Sequence, residues 1–137
     1  MIEEGHPVIV ALRDVQGIER ADLAAFRRLA RSYEGRRLPA HIERRPLGTC
    51  YVTADELEAE GHGRRVRGFA IEPLTSTPTP HAWNSLNGRD ARDAVWATFS
   101  DTSSYAGIES REHEDMLDRM TEACGRKAFA WAWRGLY

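Results

Sequence analysis

The sequence predicts a single α+β domain, residues 1–137, in which an antiparallel sheet packs against helices. One observation behind this prediction is the length of 137 residues, close to the commonest domain size, without an internal repeat or a linker. Another is that stretches with helical apolar spacing and stretches with strand-like alternation follow one another along the chain. The third is an Asn-Gly pair, Asn87-Gly88, between two strand-like segments, which indicates a hairpin.

The first part of the chain predicts a strand followed by a helix. Residues 6–14 are dense in β-branched side chains and predict a short buried strand. Residues 18–34 have apolar side chains at helical spacing and predict an amphipathic helix, which Gly35 would end. The segment 35–49 is rich in Arg, Pro and Gly, and we expect an extended, solvated connection there.

A second helix and three strands are predicted next. Thr53 and Glu56 have the spacing of a capping box, so we expect the helix to begin at Thr53 and to end by Gly61. Apolar patterns predict three strands, at 64–73, 81–86 and 91–99, and turn-forming residues predict loops at 74–80 and 100–107. A last helix is predicted at 111–124, which Ser110 would cap and Gly125 would end, and a last strand at 129–133.

Composition and charge argue against several functional classes. The chain is 42% hydrophobic and 29% charged, and its net charge of −2 gives no reason to expect nucleic acid or an anionic membrane as a partner. No apolar run approaches the roughly 18 residues of a membrane helix, and we see no signal-peptide pattern. We therefore expect a cytoplasmic protein without a membrane partner, in which Cys50 and Cys124 are free thiols.

Three residues in the order Cys50, His81 and Asp93 have the chemistry of a catalytic triad. A thiol is a good nucleophile as thiolate, which a neighbouring imidazole can generate. The imidazole needs a third group to fix its orientation, and a carboxylate suits this role. Cys50 also lies just before a predicted helix, whose N-terminus would favour the negative charge of a thiolate.

The connection between His81 and Asp93 decides whether the two side chains can meet. If Asn87-Gly88 forms a strict two-residue turn, Asp93 points to the opposite face of the hairpin from His81. A three-residue loop, or a bulge near residues 89–92, would instead bring Asp93 to face His81. The triad hypothesis therefore requires a loop of odd length or a bulge.

Five short motifs also carry a resemblance to a known family. In chain order they are "GTCYVTA", "RVRGFAI", "PHAWN", "NGRDARDAVW" and "YAGI", which together span residues 48–108. This pattern resembles a family of small bacterial and phage proteins, and it is similar to the core of transglutaminase-like and papain-like cysteine enzymes.

The resemblance implies a transglutaminase-like or papain-like fold and a role for each matched residue. Cys50 would be the nucleophile, His81 the base and Asp93 the orienting acid, while Trp83 and Tyr105 would bind substrate. The implied reaction is acyl transfer to an amine or hydrolysis by water. Its substrate would be an amide or thioester in a peptide, a protein or a small acyl compound, with neither a cofactor nor a metal.

Several alternatives remain open at the level of sequence. The family has Trp and Asn at the positions of Val52 and Thr53, and Thr at that of Val95, so the chain could instead be a catalytically inactive binding or accessory module on the same fold. A zinc site formed by Cys50, His62 and His81 is conceivable, although paired metal-ligand spacing is missing. The arginines could also form a basic face for nucleic acid, which we consider the weaker interpretation.

Overall fold

A computed structural model describes residues 1–127 as four helices and one curled five-stranded sheet. The mixed arrangement is compatible with the predicted α+β class. The helices are α1 (Pro7–Arg13), α2 (Arg20–Leu29), α3 (Cys50–Ala59) and α4 (Glu114–Lys127). The strands are β1 (Arg31–Gly35), β2 (Arg64–Ile71), β3 (Thr79–Ser85), β4 (Asp90–Ala91) and β5 (Ser104–Ile108). Among these helices none has the length and apolar character needed to cross a membrane.

The strands lie in the order β3-β2-β5-β1-β4. The pairs β3–β2, β2–β5 and β5–β1 are antiparallel, as expected, but β1 pairs with β4 in parallel. Just after β4 the chain also returns to β3, because Asn84 and Arg92 exchange two backbone hydrogen bonds of 3.0 and 2.7 Å. The sheet therefore curls until its two outer strands meet.

The curled sheet has an aromatic concave face and a convex face covered by helices. Strand register places Trp83 beside Val66, and Tyr105 beside both Ala70 and Tyr33, on the concave face. These side chains are buried together with Cys50 from α3 and Trp96 from the segment after β4. A second buried cluster on the convex face joins the sheet to α1, α2 and α4, with members that include Phe26, Phe69, Leu117 and Met120.

Gly68 on β2 allows the close approach of β5. A Cβ atom at this position would lie 2.1 Å from the carbonyl oxygen of Ala106, so a larger residue would push the strands apart. Gly68 also pairs directly with His81 on β3. The glycine thus brings three strands together at the level of the candidate triad.

The predicted strand at 6–14 is wrong, since Pro7–Arg13 forms α1. Pro7 occupies the first helical turn, where its missing N–H costs nothing, and the His6 ring accepts a hydrogen bond from the Val8 amide. A short run of β-branched residues can be buried equally well in a helix or in a strand. Here Pro7 and the cap formed by His6 favour the helix.

The predicted helix at 18–34 is wrong at both ends, because α2 begins at Arg20 and stops at Leu29. Ala30 is already extended and β1 starts at Arg31. Gly35 therefore lies in a strand and does not cap a helix.

The capping-box prediction is also wrong, because α3 begins at Cys50. The Thr53 hydroxyl lies one turn inside this helix and hydrogen-bonds the Thr49 hydroxyl at 3.1 Å. This difference places Cys50 in the first turn of the helix.

Among the later elements, the strand predicted at 64–73 and the buried side chains of the last helix are confirmed. Of the stretch 91–99 only Ala91 lies in a strand, and part of the predicted loop 100–107 is β5. Ser110 caps a short 3₁₀ helix before α4, which continues past Gly125. The strand predicted at 129–133 lies outside the described residues.

Replacing Gly68 by alanine is expected to destabilise the protein by about 1–3 kcal/mol, the usual cost of overpacking a core. Urea unfolding followed by tryptophan fluorescence measures this change. Gly5→Ala is the matched control, since a Cβ there would meet no atom within 4 Å, and it should remain within about 0.5 kcal/mol of the wild type. Equal stability of the two variants would contradict the close approach of β2 and β5.

Candidate active site

Cys50 is the first residue of α3 and is held in the interior of the molecule. Cys50 is 1% exposed and belongs to the aromatic cluster on the concave face. The first backbone N–H groups of a helix have no partner within the helix and carry partial positive charge. The Cys50 sulfur therefore lies where a helix favours negative charge.

His81 lies on β3, and one of its ring nitrogens is bonded to Asp93. The His81 Nε2 to Asp93 Oδ2 distance is 2.7 Å, and both residues are completely buried. The imidazole also stacks on the Trp96 ring, with 4.3 Å between ring centroids and 27° between planes. The hydrogen bond and the stacking together fix the orientation of the ring.

The connection that leads from β3 to Asp93 has an odd length, as the triad hypothesis requires. Seven residues, 85–91, separate the bridge partners Asn84 and Arg92, which is an odd number. The chain leaves the sheet directly after Arg92 and turns at Asp93, whose Oδ1 accepts hydrogen bonds from the backbone amides of residues 95 and 96 at 3.1 and 2.8 Å. This carboxylate thereby forms its own turn while its other oxygen faces His81.

Tyr105 on β5 is a fourth member of the site. Its hydroxyl donates to Asp93 Oδ2 at 2.7 Å, the same oxygen that His81 contacts. Burial and the neighbouring Asp93 charge raise the pKa of Tyr105 well above 10, so the phenol keeps the proton that it donates. Asp93 thus receives four hydrogen bonds, and its charge is stabilised in the interior.

The two residues expected to bind substrate are both buried. Tyr105 is 0% and Trp83 is 1% exposed, and the two rings pack edge to face with centroids 4.9 Å apart. The Tyr105 hydroxyl is occupied by Asp93, and the Trp83 ring lies against Gly107. In this structure they support the site from within the core and offer no open surface to a substrate.

The charge state of His81 follows from its surroundings. Burial alone would lower its pKa from the ordinary 6.5, but the Asp93 carboxylate and the Cys50 sulfur outweigh this effect and raise the pKa to about 10. Asp93 occupies Nε2, and His81 Nδ1 has no hydrogen-bond partner. Nδ1 is therefore the ring atom that is left to interact with the thiol.

Cys124 differs from Cys50 although both are buried free thiols. It lies on α4 within the apolar cluster of the convex face. Burial raises the pKa of Cys124 to about 12, which keeps this thiol neutral and unreactive at neutral pH.

The residues of the other sequence hypotheses are engaged elsewhere. His62 lies 3.8 Å from Glu60 and contacts the His41 ring, and within residues 1–127 no group of three or more His, Cys, Asp or Glu side chains could hold a metal ion. Arg65 and Arg67, from the suggested basic face, are buried in ion pairs with Glu114 of α4.

Comparison of this chain with protein-family models, curated proteins and solved structures found no match. The geometry described above and the motif residues themselves are therefore the basis for a functional proposal.

Tyr105→Phe is expected to destabilise the protein by about 1–3 kcal/mol, because the buried Asp93 carboxylate loses one donor. Tyr33→Phe is the control, since the Tyr33 ring is buried in the same cluster but its hydroxyl makes no hydrogen bond to Asp93. Chemical denaturation of both variants gives the comparison. If Tyr105→Phe proves as stable as Tyr33→Phe, the Tyr105–Asp93 hydrogen bond has no energetic significance.

The raised pKa of His81 predicts a pH-dependent stability. Its folded value of about 10 lies above the ordinary 6.5, so the stabilisation is complete below about pH 6.5 and is lost as the pH rises towards 10. Urea unfolding between about pH 6.5 and 8.5 should show a loss of up to about 1.4 kcal/mol per pH unit. This interval avoids the alkaline range in which Cys124 also contributes.

The loss of stability with rising pH should disappear in His81→Asn. It should persist in the control His113→Asn, which alters a histidine outside the site. A wild-type protein whose stability is flat across this interval would contradict the protonated state of His81.

Proposed function

We propose that the protein is a thiol-dependent enzyme that transfers or hydrolyses acyl groups with Cys50, His81 and Asp93. The observation that carries the proposal is that Asp93 holds one nitrogen of the His81 imidazole and leaves the other nitrogen available. Asp93 binds Nε2 at 2.7 Å, Nδ1 has no hydrogen-bond partner, and the Cys50 sulfur contributes to the raised pKa of the ring. A nucleophile, a base and a group that orients the base is the arrangement that nucleophilic catalysis needs.

The proposed reaction begins with transfer of the Cys50 proton to His81 Nδ1. The raised pKa of His81 favours the proton on the imidazole, and Asp93 stabilises the resulting cation. The thiolate attacks the substrate carbonyl and forms a C–S bond, and the Cys50 amide at the start of α3 can donate to the developing oxyanion. As the tetrahedral intermediate collapses, the bond to the leaving group breaks and His81 returns the proton to that group.

The acyl group is then bound to Cys50 as a thioester. Water activated by His81 would release a carboxylic acid, and a primary amine would form a new amide. The substrate class is therefore an amide or thioester in a peptide, a protein or a small acyl compound. A cytoplasmic setting suits this chemistry, because thiols remain reduced there.

A second candidate function is a binding or accessory module in which the same residues only stabilise the fold. The observation that favours it is burial: Cys50 is 1% exposed, and His81 and Asp93 are 0% exposed. A substrate carbonyl must reach the sulfur, so catalysis would require an opening at the start of α3. An inactive module would require none.

Alkylation by iodoacetamide at about pH 7 distinguishes these functions. Protein with Cys124→Ala retains only Cys50, and we expect it to react at least about tenfold faster than the same protein carrying His81→Asn, because the imidazole supplies the thiolate. His113→Asn is the matched histidine control and should leave the rate unchanged. Intact mass spectrometry measures the rates.

Cys50→Ala protein retains only Cys124 and should remain unlabelled while folded. Incubation with p-nitrophenyl acetate should acetylate Cys50 and leave Cys50→Ala protein unmodified. A Cys50 rate equal to that of a thiol in unfolded protein, together with no acetylation, would contradict the enzyme proposal and leave the binding module.

A further inference from the structure

Asn84 is a buried polar residue on β3 that the triad chemistry does not use. It is 1% exposed and lies three positions after His81 on the same strand. Its position near the end of β3 lets its side chain reach the backbone of α3. A buried amide in such a place needs partners, because an unsatisfied one would cost stability.

The side chain of Asn84 ties the helix that carries Cys50 to the strand that carries His81. Its Nδ2 donates to the Ala54 carbonyl of α3 at 2.9 Å and to the Gly63 carbonyl, just before β2, at 3.1 Å. Ala54 lies four residues after Cys50, and residues at this spacing occupy the same face of a helix. Both residues are buried against the sheet.

The backbone of Asn84 ties the same strand to the segment that carries Asp93. The Asn84 amide donates to the Arg92 carbonyl at 3.0 Å, and the Arg92 amide donates to the Asn84 carbonyl at 2.7 Å. Arg92 directly precedes Asp93, so these two bonds fix the point at which the chain leaves the sheet to form the Asp93 turn.

We infer that Asn84 is a positioning residue that sets the placement of Cys50 relative to His81 for the proposed reaction. Its side chain holds one turn of α3 against β3, and its backbone fixes the Asp93 segment. The inference rests on the proposed function, but the link that it describes has consequences besides catalysis.

Asn84→Ala removes the side-chain link to α3 and keeps the backbone bridge to Arg92. We expect alkylation of Cys50 in Cys124→Ala protein to slow at least about tenfold, because a small displacement of a reacting group can cost that much or more. The His81–Asp93 contact should remain. The pH titration of the His81 imidazole, followed by NMR, should shift to lower pH, because part of its upward shift comes from the Cys50 sulfur.

Met120→Ala is the control for lost stability. Met120 is fully buried in the convex-face cluster and belongs to a different set of packed residues from the site. Its truncation should destabilise the protein by about 2–5 kcal/mol and leave the alkylation rate and the His81 titration unchanged. Should Asn84→Ala fail to fold, Asn84→Ser keeps one donor and should give intermediate values of both quantities.

The outcomes separate this inference from the proposed function. Wild-type reactivity and an unchanged His81 titration in Asn84→Ala would overturn the inference, and so would equal losses in Asn84→Ala and Met120→Ala. If Cys50 in otherwise wild-type protein shows no enhanced reactivity, the proposed function fails. In that case the His81 titration alone tests the role of Asn84, and an unshifted titration in Asn84→Ala would overturn the inference.

Discussion

The buried hydrogen bond between His81 and Asp93 is the interaction on which the rest of the concave face depends. Both residues are fully buried in an aromatic cluster, where an unpaired charge would be costly. The bond is stable there because Asp93 receives three further donors, from Tyr105 and from two backbone amides. Removing one partner of such a set leaves the others uncompensated. The turn at Asp93 and the position of β5 are therefore parts of one polar arrangement.

This requirement explains why the sheet curls and where its strands come closest. His81 and Tyr105 lie on different strands, and Asp93 lies beyond the edge of the sheet, so one carboxylate can meet both only if the edges approach each other. The bridge between Asn84 and Arg92 makes that closure. Gly68 lets β2 and β5 approach at the same level. On the convex face, two buried arginines form ion pairs with more exposed carboxylates of α4 and hold this helix against the other side of the sheet.

The sequence predicts the parts of this arrangement that depend on local pattern. Strand β2 and the buried side of α4 follow from apolar spacing, and the identity of the candidate triad follows from chemistry and chain order. The strand predicted at 6–14 failed because a short apolar run fits a buried helix equally well, and Pro7 was the residue that decided it. The strand predicted at 91–99 is wrong because the Asp93 carboxylate accepts hydrogen bonds from backbone amides that follow it, which competes with strand pairing. The roles of Tyr105 and Asn84 depend on partners far away in sequence, which no local pattern contains.

The position of Cys50 within its helix completes the electrostatics of the site. In the proposed reaction the Cys50 sulfur becomes negatively charged inside a buried cluster. That charge needs a further source of positive potential, and the first turn of a helix provides it through unpaired N–H groups. A helix beginning at Thr53, as the capping pattern suggested, would leave Cys50 outside that field. Because α3 begins at Cys50 itself, this residue lies at the positive end of the helix. The three-residue difference in helix start thus places Cys50 where the helix would stabilise the thiolate that the proposed reaction requires.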